Sequence, residues 1–387
     1  MPENKNLRTV AFCVPNMIIG GVENILINTL KSLSEYPCLK FCIVTHAKIQ
    51  EPTYVQWLKE HPEIPVYVYY PLCNWFESIS KYTRLFPLKQ LRKIVFSIYK
   101  KYRRIIMSYK QELRTIDIFV DYKNLEFARE LRTYNVRKIA WIHGPVEYIL
   151  KNRHYNKLAQ YDAIVGLTNE FVLDFKQNLP KFANKVHQIY NPINAQAIRD
   201  MAKIGERQPG KYFCQISRLD ATQKDIETLI NAFDIFWTKN KHPDVKLLII
   251  GSGPDETRLK LMAQSKQSHT NIIFTGKTTN PFGYLQNAIA SILSTKYEGL
   301  PTVLIESAAL GVPVISAACK NGPQEILENG HAGFLFPVGD HNALAQQMEY
   351  VFHNPHIAKE KAAIATKGLA RFDSTKISHQ IFSLLRS

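Results

Sequence analysis

The sequence predicts an α/β chain made of two doubly wound parallel-sheet domains. Three observations carry that reading. Short β-branched runs alternate with longer amphipathic segments from one end to the other, the pattern of parallel strands wrapped by helices. The 387 residues exceed what a single core usually organises. A polar, turn-rich break then separates two strand series: Asn191-Pro192-Ile193-Asn194, followed by Glu206, Arg207, Gln208, Pro209 and Gly210.

In the first series the strand signals are Thr9 to Val14, Phe41 to Thr45, Val66 to Tyr70, Ile116 to Val120, Lys138 to Ile142, Ala163 to Leu167 and Val186 to Tyr190. In the second they are Tyr212 to Ser217, Val245 to Ile250, Asn271 to Thr275, Ala290 to Leu293 and Val312 to Ala317. The expected domains are 1–195 and 196–370, with 371–387 as a terminal helix packing back toward the first domain. Two such domains in series place a cleft between them. Ligands of open parallel sheets gather outside the carboxyl ends of the strands, so loops after strands are searched for function first.

Composition narrows the classes. Hydrophobic residues at 45% and charged residues at 21% fit a globular protein and exclude disorder. The sequence holds no uninterrupted apolar run of the ~18 residues that span a bilayer, and no signal peptide is read at its start. Six cysteines, Cys13, Cys38, Cys42, Cys73, Cys214 and Cys319, lack any repeated metal-ligand spacing and read as free, mostly buried thiols of a cytoplasmic chain.

The formal charge of +16 asks for an anionic partner. No zinc-finger, RNA-binding or recognition-helix pattern supports nucleic acid. Much of the charge lies in residues 88–110, where Lys89, Arg92, Lys93, Lys100, Lys101, Arg103, Arg104 and Lys110 interleave with apolar residues at three-to-four-residue steps. This basic amphipathic helix suits peripheral contact with an anionic membrane; packing on a core with a solvated basic face is the other reading.

Three loops carry the chemistry. After the first strand, Gly20-Gly21-Val22-Glu23 opens a helix, and paired glycines at a helix start let backbone N–H groups approach an anion. After Tyr212 to Ser217 come Arg218 and, six residues later, Lys224. A forked guanidinium and a point-charge ammonium together suit a diphosphate without a metal. After Ala290 to Leu293 comes Tyr297-Glu298-Gly299-Leu300-Pro301-Thr302, opening a helix expected from Pro301 to Leu310 with Glu306 inside it. The free N–H groups of Gly299, Leu300 and Thr302 form a second expected anion cradle, with Pro301 in the first helical turn.

These residues resemble the donor-binding half of glycosyltransferase family 4. The resemblance rests on Ser217-Arg218-Leu219 through Lys224, Gly251-Ser252-Gly253-Pro254, Glu298-Gly299-x-Pro301 to Glu306, and Gly311-Val312-Pro313-Val314-Ile315. It is dense from Tyr212 to Phe336 and thin from Glu51 to Val136. It implies a GT-B fold, two Rossmann-like domains facing a cleft, and retaining transfer from a nucleotide-diphosphate sugar, UDP-linked, with no metal or other cofactor. It further implies a glycan or lipid-linked acceptor in polysaccharide or lipopolysaccharide synthesis at the inner face of the cell membrane.

By the same resemblance Arg218 and Lys224 bind the diphosphate, Glu306 the ribose and Glu298 the transferred sugar, while Gly20, Gly21 and Gly251 line the donor. His143, in Trp141-Ile142-His143-Gly144-Pro145, matches the family's active-site histidine. Two departures bear on loop shape: Asp225 stands where the family often has Gly, and one extra residue separates Arg218 from Lys224. A nucleotide-sugar epimerase of the same fold and a non-catalytic sugar-nucleotide sensor remain as rival functions. An epimerase needs acid and base on opposite faces of the sugar; a sensor would bind donor without turnover.

Overall fold

The computed structural model describes residues 7–17, 20–80, 86–151, 154–241 and 244–387. The chain forms two compact units. One comprises Met1–Gly166, Val172–Ile189 and Ser378–Ser387; the other comprises Leu167–Phe171 and Tyr190–Ile377.

The first unit is built on a seven-stranded sheet of β1 (Arg8–Val14), β2 (Leu39–Thr45), β3 (Val66–Val68), β4 (Ile118–Asp121), β5 (Arg137–Ile142), β6 (Ala163–Gly166) and β7 (Val186–Gln188). Their spatial order is β3-β2-β1-β4-β5-β6-β7, and every pairing is parallel. Val10 through Val14 are fully buried, which is why this strand reads as a continuous apolar run rather than an alternating one. Tyr69 and Tyr70 lie beyond β3, although their N–H groups still donate to Thr45 and His46. The end of the chain completes this unit: Phe382 stacks on Tyr36 at 4.1 Å, and Arg8 donates to the Leu385 carbonyl at 2.8 Å.

The second unit carries β8 (Lys211–Ile216), β9 (Val245–Ile250), β10 (Ile272–Gly276), β11 (Ala290–Leu293), β12 (Val314–Ala317) and β13 (Phe334–Phe336). Their order is β10-β9-β8-β11-β12-β13, again all parallel. Its core packs Phe213, Leu247 and Ile292 of the sheet against Leu229, Phe233 and Phe236 of the Ile226–Asn240 helix. The Asn191-to-Asn194 turn leads into the Ala195–Ile204 helix, where Asn194 Oδ1 accepts from the Ala197 N–H at 2.9 Å, a cap worth about 1 kcal/mol.

Three sequence expectations shift. β13 is an added strand: three residues between Gly333 and Pro337 are too few to show a period. The twelfth strand begins at Val314, because Gly311 has φ +67° and the Val312 N–H turns back to the Ser307 carbonyl. The helix expected from Pro301 runs Thr302–Ala309, with Pro301 extended at its N-cap rather than inside the first turn.

In both sheets the strand order reverses once, between β1 and β4 and between β8 and β11. Adjacent loops leave in opposite directions at such a point and open a crevice at the carboxyl ends.

Candidate active site

In the second unit the loops after β8 and β11 meet at the reversal. Lys224 Nζ lies 2.5 Å from Glu298 Oε1, and both side chains are largely buried. Gln223 Nε2 donates to the Tyr297 carbonyl at 3.2 Å and approaches Glu298 Oε2 at 3.4 Å. The two loops are also joined through their main chains: the Lys296 N–H donates to the Gln223 carbonyl at 2.8 Å, and the Ser294 side-chain hydroxyl donates to the Lys224 carbonyl at 3.2 Å. The cation and carboxylate are thus held by main-chain bonds rather than by each other alone.

Arg218 stays exposed and donates from Nη2 to Asp220 Oδ2 at 2.7 Å. Asp220 is held below the usual carboxylate range, first by the Thr222 hydroxyl and then by the Arg218 charge. Asp225 takes the left-handed conformation at φ +44° as the residue before the Ile226–Asn240 helix. A glycine occupies that conformation without strain; here Asp225 Oδ2 accepts from Thr228 Oγ1 at 2.9 Å and keeps the turn.

Two glycines let the loop after β9 press on the loop after β8. A Cβ on Gly251, at φ +138°, would meet the Ser217 carbonyl at 2.0 Å, and one on Gly253 would meet Leu219 O at 2.3 Å. Gly322 plays the same part behind Gly299 and Pro301, where a Cβ would lie 2.5 Å from Pro301 Cδ. Leu300 is buried, and Thr302 begins the helix that carries Glu306. Burial pushes the Glu306 carboxyl up to about 7, against a lowering hydrogen bond from the Thr302 side chain.

The first unit brings a second group together at its own reversal. Gly20 is the extended N-cap of the Gly21–Leu33 helix, and a side chain at Gly21 would meet nothing within 4 Å. Buried Glu23 pairs with Lys123 Nζ at 2.9 Å. His143 follows β5; its N–H and that of Gly144 donate to Asn124 Oδ1 at 2.8 and 3.2 Å. Asn124 and Leu125 both have positive φ, +53° and +66°, a costly conformation outside glycine. Burial and then the Lys123 charge push His143 down to about 3, so its ring is neutral at physiological pH. Its bond to the Tyr122 backbone occupies one ring nitrogen, while buried Nε2 has no partner among the described residues.

A family model described as glycosyl transferases group 1 matches residues 197–368, which cover Arg218, Lys224, Glu298 and Glu306. Residues 197–368 thus form a domain of the group 1 glycosyl transferase type. An uncharacterized glycosyltransferase of Haemophilus influenzae is 27% identical over 274 residues, 69% of this chain and 74% of that one. The N-acetylgalactosamine-N,N'-diacetylbacillosaminyl-diphospho-undecaprenol 4-alpha-N-acetylgalactosaminyltransferase of Campylobacter jejuni is 25% identical over 212 residues, 55% of this chain and 56% of that one. Among solved structures, HepE of Anabaena in complex with UDP and glucose superposes with a TM-score of 0.77 at 16% identity, covering 98% of this chain and 99% of that one. That likeness gives this chain the GT-B fold.

The structure therefore gathers Arg218, Lys224, Glu298, Gly299, Leu300, Pro301 and Thr302 on the two loops at one reversal, with Gly251 on the adjoining loop after β9, and places Gly20, Gly21 and His143 in the other unit. Sequence reasoning passed over Gln223, Lys123 and Asn124. Gln223 carried no signal, because its role depends on the loop of Tyr297 and Glu298. Asn124 did carry one: an Asn after a strand tolerates the left-handed region.

Proposed function

We propose that this group 1 glycosyl transferase moves a hexosyl or N-acetylhexosaminyl group, with retention, from a UDP-linked donor to a glycan or lipid-linked acceptor. The pathway class is cell-surface polysaccharide or lipopolysaccharide synthesis, in the cytoplasm at the inner membrane face. The observation that carries the reading is the contact of Lys224 with Glu298 at the β8/β11 reversal. In this reading Lys224 meets the diphosphate and Glu298 the sugar hydroxyls, and the exposed Arg218 supplies a second cation. The UDP seen in HepE and the undecaprenol-linked acceptor in the Campylobacter enzyme's name support the donor and acceptor classes.

In this reading the bond between the anomeric carbon and the diphosphate oxygen breaks, and its electron pair leaves with the diphosphate toward Lys224 and Arg218. The acceptor oxygen bonds to the same face of the anomeric carbon, and its proton passes to a diphosphate oxygen. Two side chains that could have taken that proton are poorly suited. His143 is held near 3 and Glu23 is buried in an ion pair with Lys123, whereas a general base works best near the operating pH. Neutral His143, its buried Nε2 without a partner among the described residues, is instead suited to hydrogen-bond a hydroxyl. Fixed cations facing the departing charge supply most of the acceleration, with no metal required.

Calorimetric titration with UDP-, GDP- and ADP-sugars tests the donor assignment. UDP-sugars should bind, and Lys224→Ala and Glu306→Ala should weaken them at least tenfold. Undiminished binding by both variants would sink the assignment.

A further inference from the structure

The Phe86–Tyr109 helix is amphipathic in the reverse sense from a core element. Leu91, Ile94, Ile98, Tyr102, Ile105 and Tyr109 fall within about 80° of arc and along about 27 Å of axis for a regular helix. All six are exposed, Ile98 at 63% and Tyr109 at 69%. This overturns packing as the explanation of the apolar stripe.

What the helix turns inward is partly cationic. Arg92 Nη1 donates to the Phe76 carbonyl at 2.8 Å, and Arg103 donates to the Tyr69 and Val68 carbonyls at 2.8 and 3.2 Å. Phe96 packs on Phe76 at 4.7 Å, the Leu72 N–H donates to Tyr99 Oη at 3.1 Å, and Met107 is buried. Guanidiniums bonded to main-chain carbonyls fix the rotation of the helix, because turning the stripe inward would break all three of these bonds. The outward stripe is a consequence of that anchoring.

We propose that this stripe is a docking surface for an anionic lipid bilayer, with the helix lying in the membrane plane. The charge pattern selects that occupant. From Phe86 to Tyr109 the sequence has seven Lys or Arg and no Asp or Glu, and Lys93 and Lys101 stand exposed on the helix surface. Aliphatic side chains enter the acyl boundary, tyrosines sit at the interface and lysines reach the phosphates. A second copy is a poorer fit, since pairing two stripes would crowd two sets of cations. No described helix is long and apolar enough to cross the membrane, so the contact is peripheral. This surface stands independently of the transfer reaction: a chain that moved no sugar would still dock.

The test is flotation of the full chain with phosphatidylcholine vesicles, alone or mixed with phosphatidylglycerol, alongside Ile98→Glu/Tyr102→Glu and Lys93→Glu/Lys101→Glu. All four positions are exposed, and circular dichroism and thermal unfolding without lipid check that each variant is folded. Wild type should favour anionic vesicles at least tenfold. The stripe variant should lose binding to both vesicle types, and the lysine variant should lose only the anionic preference. Equal binding to both compositions, no binding, or a stripe variant that floats like wild type would overturn the proposal. So would a vesicle-free dimer, seen by sedimentation, that the stripe variant abolishes while the wild type ignores vesicles.

Discussion

Lys224→Met tests whether the buried pair with Glu298 serves catalysis or only the fold. Removing the ammonium leaves the Glu298 carboxylate with Gln223 Nε2 at 3.4 Å as its remaining named side-chain donor. Breaking a buried pair on one side costs about 3–5 kcal/mol. The Lys224 side chain is 18% exposed and water can reach the gap, so the lower end applies. Adding Glu298→Gln removes the stranded charge, and neutral replacement of both partners returns stability to within about 1 kcal/mol of wild type. Turnover should behave differently. A lost donor to charge developing in the transition state costs about 3 kcal/mol, or 10² in rate, and Glu298→Gln does not restore it. Urea unfolding and single-turnover nucleotide release on the four proteins of the cycle separate the two effects. If the double variant recovers rate along with stability, the pair is structural and the diphosphate role of Lys224 is wrong.

Three further outcomes follow from the same geometry. Asp121 is pushed up to about 7 by burial, even though Tyr161 and the Phe127 N–H donate to it. The folded chain therefore holds that proton between the ordinary range and pH 7 while the unfolded chain has released it, so stability falls as pH rises through that window. Asp121→Asn should flatten this part of the Tm-against-pH curve, and an unchanged slope would show that Asp121 is not its source. Asn124→Ala removes both bonds to the His143–Gly144 turn. It should destabilise by about 1–3 kcal/mol and lower kcat without changing UDP affinity; a loss of UDP affinity instead would contradict the division of labour between the units. Excess EDTA should leave the release rate within about twofold, as expected when fixed protein cations carry the charge, and a loss restored by magnesium would refute metal-independent transfer.

Local signals and distant ones differed in legibility. The runs Val10 to Val14 and Leu247 to Ile250 lie in strands with both faces buried, and burial on both faces writes itself into consecutive residues. Glu298, Pro301 and Glu306 were visible because they belong to one strand–loop–helix segment. The order reversals at β1/β4 and β8/β11 depend on which strands pair, and pairing leaves no local pattern. The closeness of Lys224 to Glu298, 74 residues apart, is of this kind. Periodicity revealed the stripe of the Phe86–Tyr109 helix but not its direction, since the usual inward assignment fails where Arg92 and Arg103 find carbonyls inside. Asp225 shows the converse. The departure from glycine looked like a change of loop shape, yet the left-handed turn survives because the Asp side chain accepts from Thr228.

The most direct test of the central claim is to incubate the purified chain with UDP-, GDP- and ADP-sugars, with and without detergent-solubilised bacterial lipid extract, and to measure released nucleotide beside Glu306→Ala. The account predicts release from a UDP-sugar, raised by the extract and lost in the variant. Silence across the panel while donor binding remains intact would contradict it and identify a sensor rather than a transferase.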